Sequence, residues 1–249
     1  MNVIMRKCSM SDKVKLDILA IAAHPDDIEI TSGGLLIKMS KLGRKTGALD
    51  LTRGEMGTRG KPGDREFEAA AAAKIIGLSY RENLALPDSA LEINQENKLK
   101  IAAVIRTTQP EMVILPHWHQ RHPDHFVCSR LGYDACFLAG LKKLDVNGEP
   151  YRPRKIIYTS YFRNTDYSFM VDITDEFEQK CKAVAAYRSQ FGNMVTTKHI
   201  FQPGSGIFDL MRTRAAALGQ LVNVKYAEAY TVKEHILIDD PQKMPVRSV

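Results

Sequence analysis

Apolar residues recur in this chain as short unbroken runs, separated by longer segments of helical periodicity. Leu16 to Ala23 is the first such run and reads as a strand buried on both faces. Ser32 to Leu42 follows as a helix with Gly43 as its stop, then Lys45 to Leu51 as a second strand. The loop from Thr52 to Gly63 carries four glycines and a proline. Asp64 is expected to cap the next helix, which runs to Ile76 and is closed by Gly77. Tyr80 to Leu86 predicts a strand, Asn94 to Thr108 a helix stopped before Pro110, and Met112 to Leu115 another strand. A helix is expected over Pro123 to Leu144. Further on, Lys155 to Tyr161 and Phe169 to Asp172 read as strands, and Thr174 to Arg188 as a helix capped by Thr174. Asp209 to Leu218 predicts a helix and Val232 to Ile238 a last strand.

This rhythm predicts an α/β chain with a Rossmann-like, mostly parallel sheet, helices on both faces and a less regular C-terminal subregion. No Ser/Gly/Pro-rich linker divides it, so residues 1–249 are expected to form one domain, with 1–14 as a flexible extension. In such sheets ligands bind outside the carboxyl ends of the strands. That edge is therefore where chemistry is to be sought.

Composition narrows the function classes. No run approaches the roughly 20 apolar residues of a membrane helix, and Met1 to Lys15 lacks an apolar signal core, so a cytoplasmic protein with no membrane partner is expected. Cys8, Cys128, Cys136 and Cys181 form no Cys-x-x-Cys pair and read as reduced thiols. The net charge of +6 and pI near 9.1 raise the thought of a nucleic-acid or polyanion binder. The basic residues are scattered, however, with no Lys/Arg run interleaved with aromatics, so no nucleic-acid partner is expected. Arg53, Arg59, Lys61, Arg65 and Arg121 all fall near the expected ligand edge, which suits a small acidic substrate instead.

Two clusters stand directly after buried strands. The first is His24-Pro25-Asp26-Asp27-Ile28-Glu29; the second is His122-Pro123-Asp124-His125. Two imidazoles and a carboxylate make a catalytic metal site with open positions. Adjacent side chains diverge, so of Asp26 and Asp27 one can hold the metal while the other serves as general base. His122 and His125, at i and i+3, share a face, so one can ligate while the other sits beside the substrate carbonyl. Four of the seven histidines lie within residues 117–125, which argues against isolated core histidines. His117 and His119 flank Trp118 and read as rim groups. Other motifs are weak: Ser32-Gly33-Gly34 lacks the dinucleotide spacing, and there is no P-loop and no Gly-x-Ser-x-Gly elbow.

The pattern His24-Pro25-Asp26-Asp27-x-Glu29, Gly33-Gly34 and His122-Pro123-Asp124-His125 resembles the LmbE-like, or PIG-L, zinc deacetylases, which act on N-acetylglucosamine-containing substrates. Thr52-Arg53-Gly54-Glu55, Asn83-Leu84-x-Leu86-Pro87-Asp88, Arg121 to His125 and Ser189-Gln190-Phe191 are similar to the bacillithiol-pathway branch, which deacetylates N-acetylglucosaminyl malate. The resemblance implies that His24, Asp27 and His125 hold zinc and that Asp26 is the general base. His122 would act at the carbonyl oxygen, oriented by Asp124. Arg65 and Arg154, and less directly Arg121, would contact the substrate; arginine forks suit the two carboxylates of malate. The same ligand set also suits iron(II). A chitin-derived disaccharide is the alternative substrate, and family members often form homo-oligomers. One departure stands out. Some relatives carry a C-terminal tyrosine that reaches toward the metal, whereas here the segment reads Ser205-Gly206-Ile207-Phe208, with Tyr226 and Tyr230 as distant substitutes.

Overall fold

The computed structural model describes residues 4–5, 14–161, 165–192 and 206–246. In chain order the strands are β1 (Ile4–Met5), β2 (Ile18–Ala22), β3 (Thr46–Thr52), β4 (Tyr80–Leu86), β5 (Met112–Pro116), β6 (Lys155–Thr159), β7 (Phe169–Asp172) and β8 (Ala227–Thr231). The helices are α1 (Asp27–Lys41), α2 (Pro62–Ile76), α3 (Gln95–Thr108), α4 (Pro123–Ala139), α5 (Phe177–Ala185), α6 (Arg188–Phe191) and α7 (Ile207–Gln220). One sheet holds all eight strands in the order β1-β4-β3-β2-β5-β6-β8-β7. The pairs from β1 across to β6 are parallel, and β8 runs antiparallel to both β6 and β7. The expected Rossmann-like α/β class is the class found.

Alternation along the strands explains the two-sided core. Leu19, Ile21, Leu49, Val113 and Leu115 pack with Ile101, Ile105, Cys128 and Leu131 of α3 and α4. Ile18, Ala20, Ala48, Ile114 and Ile157 point the other way, onto Leu36 and Ile37 of α1, Ile76 of α2 and Ala183 of α5. Cys128 and Cys136 are both buried on the α4 face turned to the sheet. Gly132 lets α4 lie close: a Cβ there would sit 2.3 Å from Leu115 Cδ2.

Several element boundaries differ from expectation. Helix α1 begins at Asp27, five residues before Ser32, so Asp27 and Glu29 occupy its first turn. Lys61, not Asp64, is the cap residue of α2; the Asp64 carboxylate accepts the Lys61 N–H at 2.9 Å. Helix α4 stops at Ala139. Thr174 caps nothing: it donates to Asp172 Oδ1, and α5 starts at Phe177. The last strand is Ala227–Thr231, while Ile236, Leu237 and Ile238 are exposed and unpaired with any strand. Of the N-terminal extension, Ile4–Met5 pair with Tyr80 and Arg81 at the sheet edge; Ser205 lies outside the described residues. Among the described residues no helix is long and apolar enough to cross a membrane.

Strand order places the ligand edge. From β2 the chain moves outward through β3 and β4, then returns to lay β5 on the other side of β2. The carboxyl ends of β2 and β5 flank this topological switch point, the usual ligand crevice of such sheets. Both His/Asp clusters begin there.

Candidate metal centre

Asp26 closes the turn between β2 and α1 with φ of 108°, a conformation that costs a non-glycine residue strain and that clusters at functional sites. The turn throws the Asp26 and Asp27 side chains apart. Asp27 Oδ2 lies 3.3 Å from His24 Nδ1 and 3.1 Å from His125 Nε2, and it also accepts the His24 backbone N–H at 3.0 Å. His125 reaches it from the first turn of α4. Donor atoms of His24, Asp27 and His125 all lie within 4.8 Å of one another; His24, His122 and Asp124 form a second, overlapping group.

The far side of His24 is built from carboxylates. Its Nε2 lies 3.0 Å from Asp88 Oδ1 and 3.3 Å from Asp124 Oδ2. Burial alone would push the His24 imidazole down, but Asp124, Asp27 and Asp88 outweigh it and raise it to about 12. Asp27 is held low against its burial by the charge and hydrogen bond of His125 and the hydrogen bond of His24. Asp88, also against burial, is drawn down to about 2 by His24 and the Met56 N–H. Three carboxylates gathered around one imidazole make this a place for positive charge. Two imidazoles and one carboxylate fit a divalent cation, with His24 donating its other ring N–H to a carboxylate in the manner of ligating histidines.

Asp26 faces the cavity beside this centre. Burial pushes its carboxyl up to about 8, although the Arg65 guanidinium, 3.8 Å away, opposes the shift. The cavity, of about 680 Å³, is bounded by His24, Asp26, Asp27, His122 and His125 at the strand ends. Gly54, Met56, Gly57, Thr58 and Arg65 close it from the glycine loop and α2; Asp88, Ser89, Gln120, Arg121, Tyr161, Gln190 and Leu210 complete it. Its volume falls in the usual range of small-molecule pockets, roughly 300–1,000 Å³.

Most of the expected site residues therefore meet here, with three corrections. Arg154 is exposed at the start of β6, where its N–H bonds Glu111, at the opposite end of the sheet from the cavity. Asp124 does not orient His122 through its carboxylate, which is turned to His24 and the Ser89 N–H. Instead the Asp124 backbone N–H donates to His122 Nδ1 at 3.2 Å. Tyr226 bonds Arg212 and Tyr230 bonds Glu228, so neither serves the cavity, and Tyr161 lines it instead. His117 is buried, stacked on Trp118.

Asp88, which the sequence motif contains but does not mark as functional, stands two residues past the end of β4, the one signal that places it at the ligand edge. Glu29 proves structural. It is fully buried, with its carboxylate on Arg81 and the Tyr187 hydroxyl, and Arg81 forks onto Asp50 at 2.9 and 3.0 Å.

Comparison with known proteins agrees with this geometry. Residues 19–136 match the PIG-L family, described as GlcNAc-PI de-N-acetylase. The chain is 30% identical over 223 residues to the diacetylchitobiose deacetylase of Thermococcus kodakarensis, covering 85% of this chain and 80% of that one. A probable N-acetyl-alpha-D-glucosaminyl L-malate deacetylase 2 of Bacillus cereus is 25% identical over 73% of this chain and 87% of its own. The bacillithiol-type relative is thus more distant than the motifs suggested. The crystal structure of a conserved protein from Thermus thermophilus superposes with a TM-score of 0.82 at 39% identity, covering 90% of this chain and 97% of that one. With its two clusters at one switch point and these relatives, the chain belongs to the PIG-L family of deacetylases.

Proposed function

We propose that this protein hydrolyses the acetamide of an N-acetylglucosamine unit, releasing acetate and a free amine. The observation that carries this reading is the placement of Asp26 in the cavity wall that also holds the His24–Asp27–His125 donor set and His122. A divalent cation held by those three residues supplies Lewis acidity and a water of lowered pKa; zinc suits the donors, and iron(II) is the alternative. Asp26, in the cavity wall beside the Arg65 guanidinium, takes the proton of the attacking water and delivers it to the leaving nitrogen. Arg65 holds Asp26 in place: its guanidinium also donates to the Pro25 carbonyl at 3.3 Å.

His122 acts as a neutral donor. Burial and the charges of His125 and His24 lower its pKa. Its Nδ1 accepts the Asp124 N–H, which leaves the proton on Nε2, free to meet the developing oxyanion.

Likeness to a diacetylchitobiose deacetylase over most of the chain supports a chitin-derived disaccharide as the substrate. A second reading, N-acetylglucosaminyl malate, is favoured by Arg121, which lines the cavity and makes no ion pair among the described residues. Acetate release from both compounds and from free N-acetylglucosamine, before and after chelation, tests the proposal. Chelator-sensitive release from the disaccharide alone supports the first reading, and release that depends on the malate carboxylates supports the second. Release that survives complete metal removal would refute the mechanism. Elemental analysis of protein purified without oxygen assigns the metal.

A further inference from the structure

The glycine loop over 53–61 is hydrogen-bonded to the metal centre through the Asp88 side chain. Asp88 is 9% exposed and uses both carboxylate oxygens. Its Oδ1 lies 3.0 Å from His24 Nε2, and its Oδ2 accepts the Met56 N–H at 2.8 Å. In return the Asp88 N–H donates to Glu55 Oε1 at 3.0 Å, while Glu55 Oε2 accepts the Arg53 N–H at 3.2 Å. The loop and Asp88 thus grip each other by two reciprocal bonds. A second reciprocal pair holds the far end of the loop: Arg59 donates to the Gln190 carbonyl at 2.7 Å and accepts from the Gln190 amide at 2.8 Å.

Resting on the metal-centre reading above, we infer that Asp88 is a positioning residue that couples the seat of this loop to the orientation of His24. The loop forms part of the cavity, so the coupling links the cavity wall to cation binding. Asp124 shares His24 Nε2 but stands on α4 and bonds Ser89, not the loop; Asp88 alone touches both. When the loop moves at Met56, the carboxylate loses an N–H donor and turns, and the His24 ring loses its orienting partner. Linkage then requires the reverse: a cation bound at His24 holds the loop down. Asparagine cannot replace Asp88 in this arrangement. It has one acceptor oxygen, so it serves either the Met56 N–H or the His24 ring N–H, not both.

The test measures Zn(II) affinity by competition with a chromophoric chelator, together with tryptic cleavage after Arg53 and Arg59 with and without Zn(II). Asp88→Asn should weaken Zn(II) binding by about ten-fold or more, the usual effect of losing an orienting partner. Glu55→Ala touches no metal ligand, yet should weaken it by about three-fold, as residues within a coupled network do. In the unaltered chain Zn(II) should slow cleavage in the loop, and in Asp88→Asn at saturating Zn(II) that protection should be lost. If Glu55→Ala binds Zn(II) as tightly as the unaltered chain, the coupling is overturned while the metal centre stands. If the unaltered chain binds no Zn(II), both fall together. Should Asp88→Asn fail to fold, Glu55→Ala and the cleavage of the unaltered chain still decide.

Discussion

Replacing Arg81 by methionine would expose what the buried ion network beneath the site contributes. Arg81, Asp50 and Glu29 are 3%, 1% and 0% exposed, so the change leaves two carboxylates in the interior without their cation. Removing one partner of a buried pair costs about 3–5 kcal/mol, because the remaining charge has lost both water and counter-ion. For a chain of this length each kcal/mol lowers Tm by about 2–4 °C, giving a drop of about 6–20 °C. The deficit should also depend on pH. Burial already raises the Asp50 carboxyl, and Arg81 is the main group opposing that rise. Without Arg81 it rises further, so the folded state binds a proton that the unfolded state has released. Stability of the variant therefore falls as pH rises through the folded-state value and recovers as pH falls toward the unfolded one, by at most about 1.4 kcal/mol per pH unit for that carboxyl.

Urea unfolding at pH 6 and pH 8 measures both effects. A combined Glu29→Gln, Asp50→Asn, Arg81→Met variant should regain most of the loss, since neutral replacement of a buried ionic group is often tolerated. A deficit below about 1 kcal/mol at pH 8, or one that grows toward pH 6, would refute the charge argument. Failure of the combined variant to improve on Arg81→Met would move the cost from charge to packing.

Asp26→Asn should bind the cation as before but lose about 10²–10⁴-fold in kcat, the usual contribution of a general base; near-normal turnover would remove Asp26 from that role. Gly34→Ala should destabilise by about 1–3 kcal/mol in chemical denaturation, because its Cβ would lie 2.7 Å from Ile173 Cγ2 and 2.8 Å from Glu228 Oε1, the atom that accepts the Gly34 N–H. Arg154→Ala should leave kcat and KM unchanged, since Arg154 stands at the opposite end of the sheet from the cavity; a raised KM would show that it reaches the substrate after all.

Local pattern carried a great deal. Strands β4 and β7 and the helix α3 appear in the structure at or within a residue of their expected bounds. Asn94, expected as the first helical residue, stands one place earlier as the cap of α3 and accepts the Asn97 N–H at 2.9 Å. Such features depend on neighbours in sequence, and the two His/Asp clusters could be placed at one sheet edge because parallel order follows from the alternation itself. Where expectation failed, the deciding contact was distant in the chain. Ile236 to Ile238 has the composition of a strand but stays exposed and pairs with no strand. Ala227–Thr231 takes the place between β6 and β7, with its Glu228 satisfied by Lys180, Tyr230 and the N–H groups of Gly34 and Leu35.

By itself, then, the sequence determined the α/β class, most of the elements, and the residues able to hold a cation or move a proton. Only the tertiary structure decided their division of labour. It turned Asp27 toward both imidazoles and buried Asp26 against Arg65. It gave the Asp124 carboxylate to His24 instead of His122, brought Asp88 to the same ring, and sent Arg154 to the far edge. The physical reason is that hydrogen-bond partnership and burial are set over a few ångströms between segments far apart in the chain. Propensity and spacing act only along it.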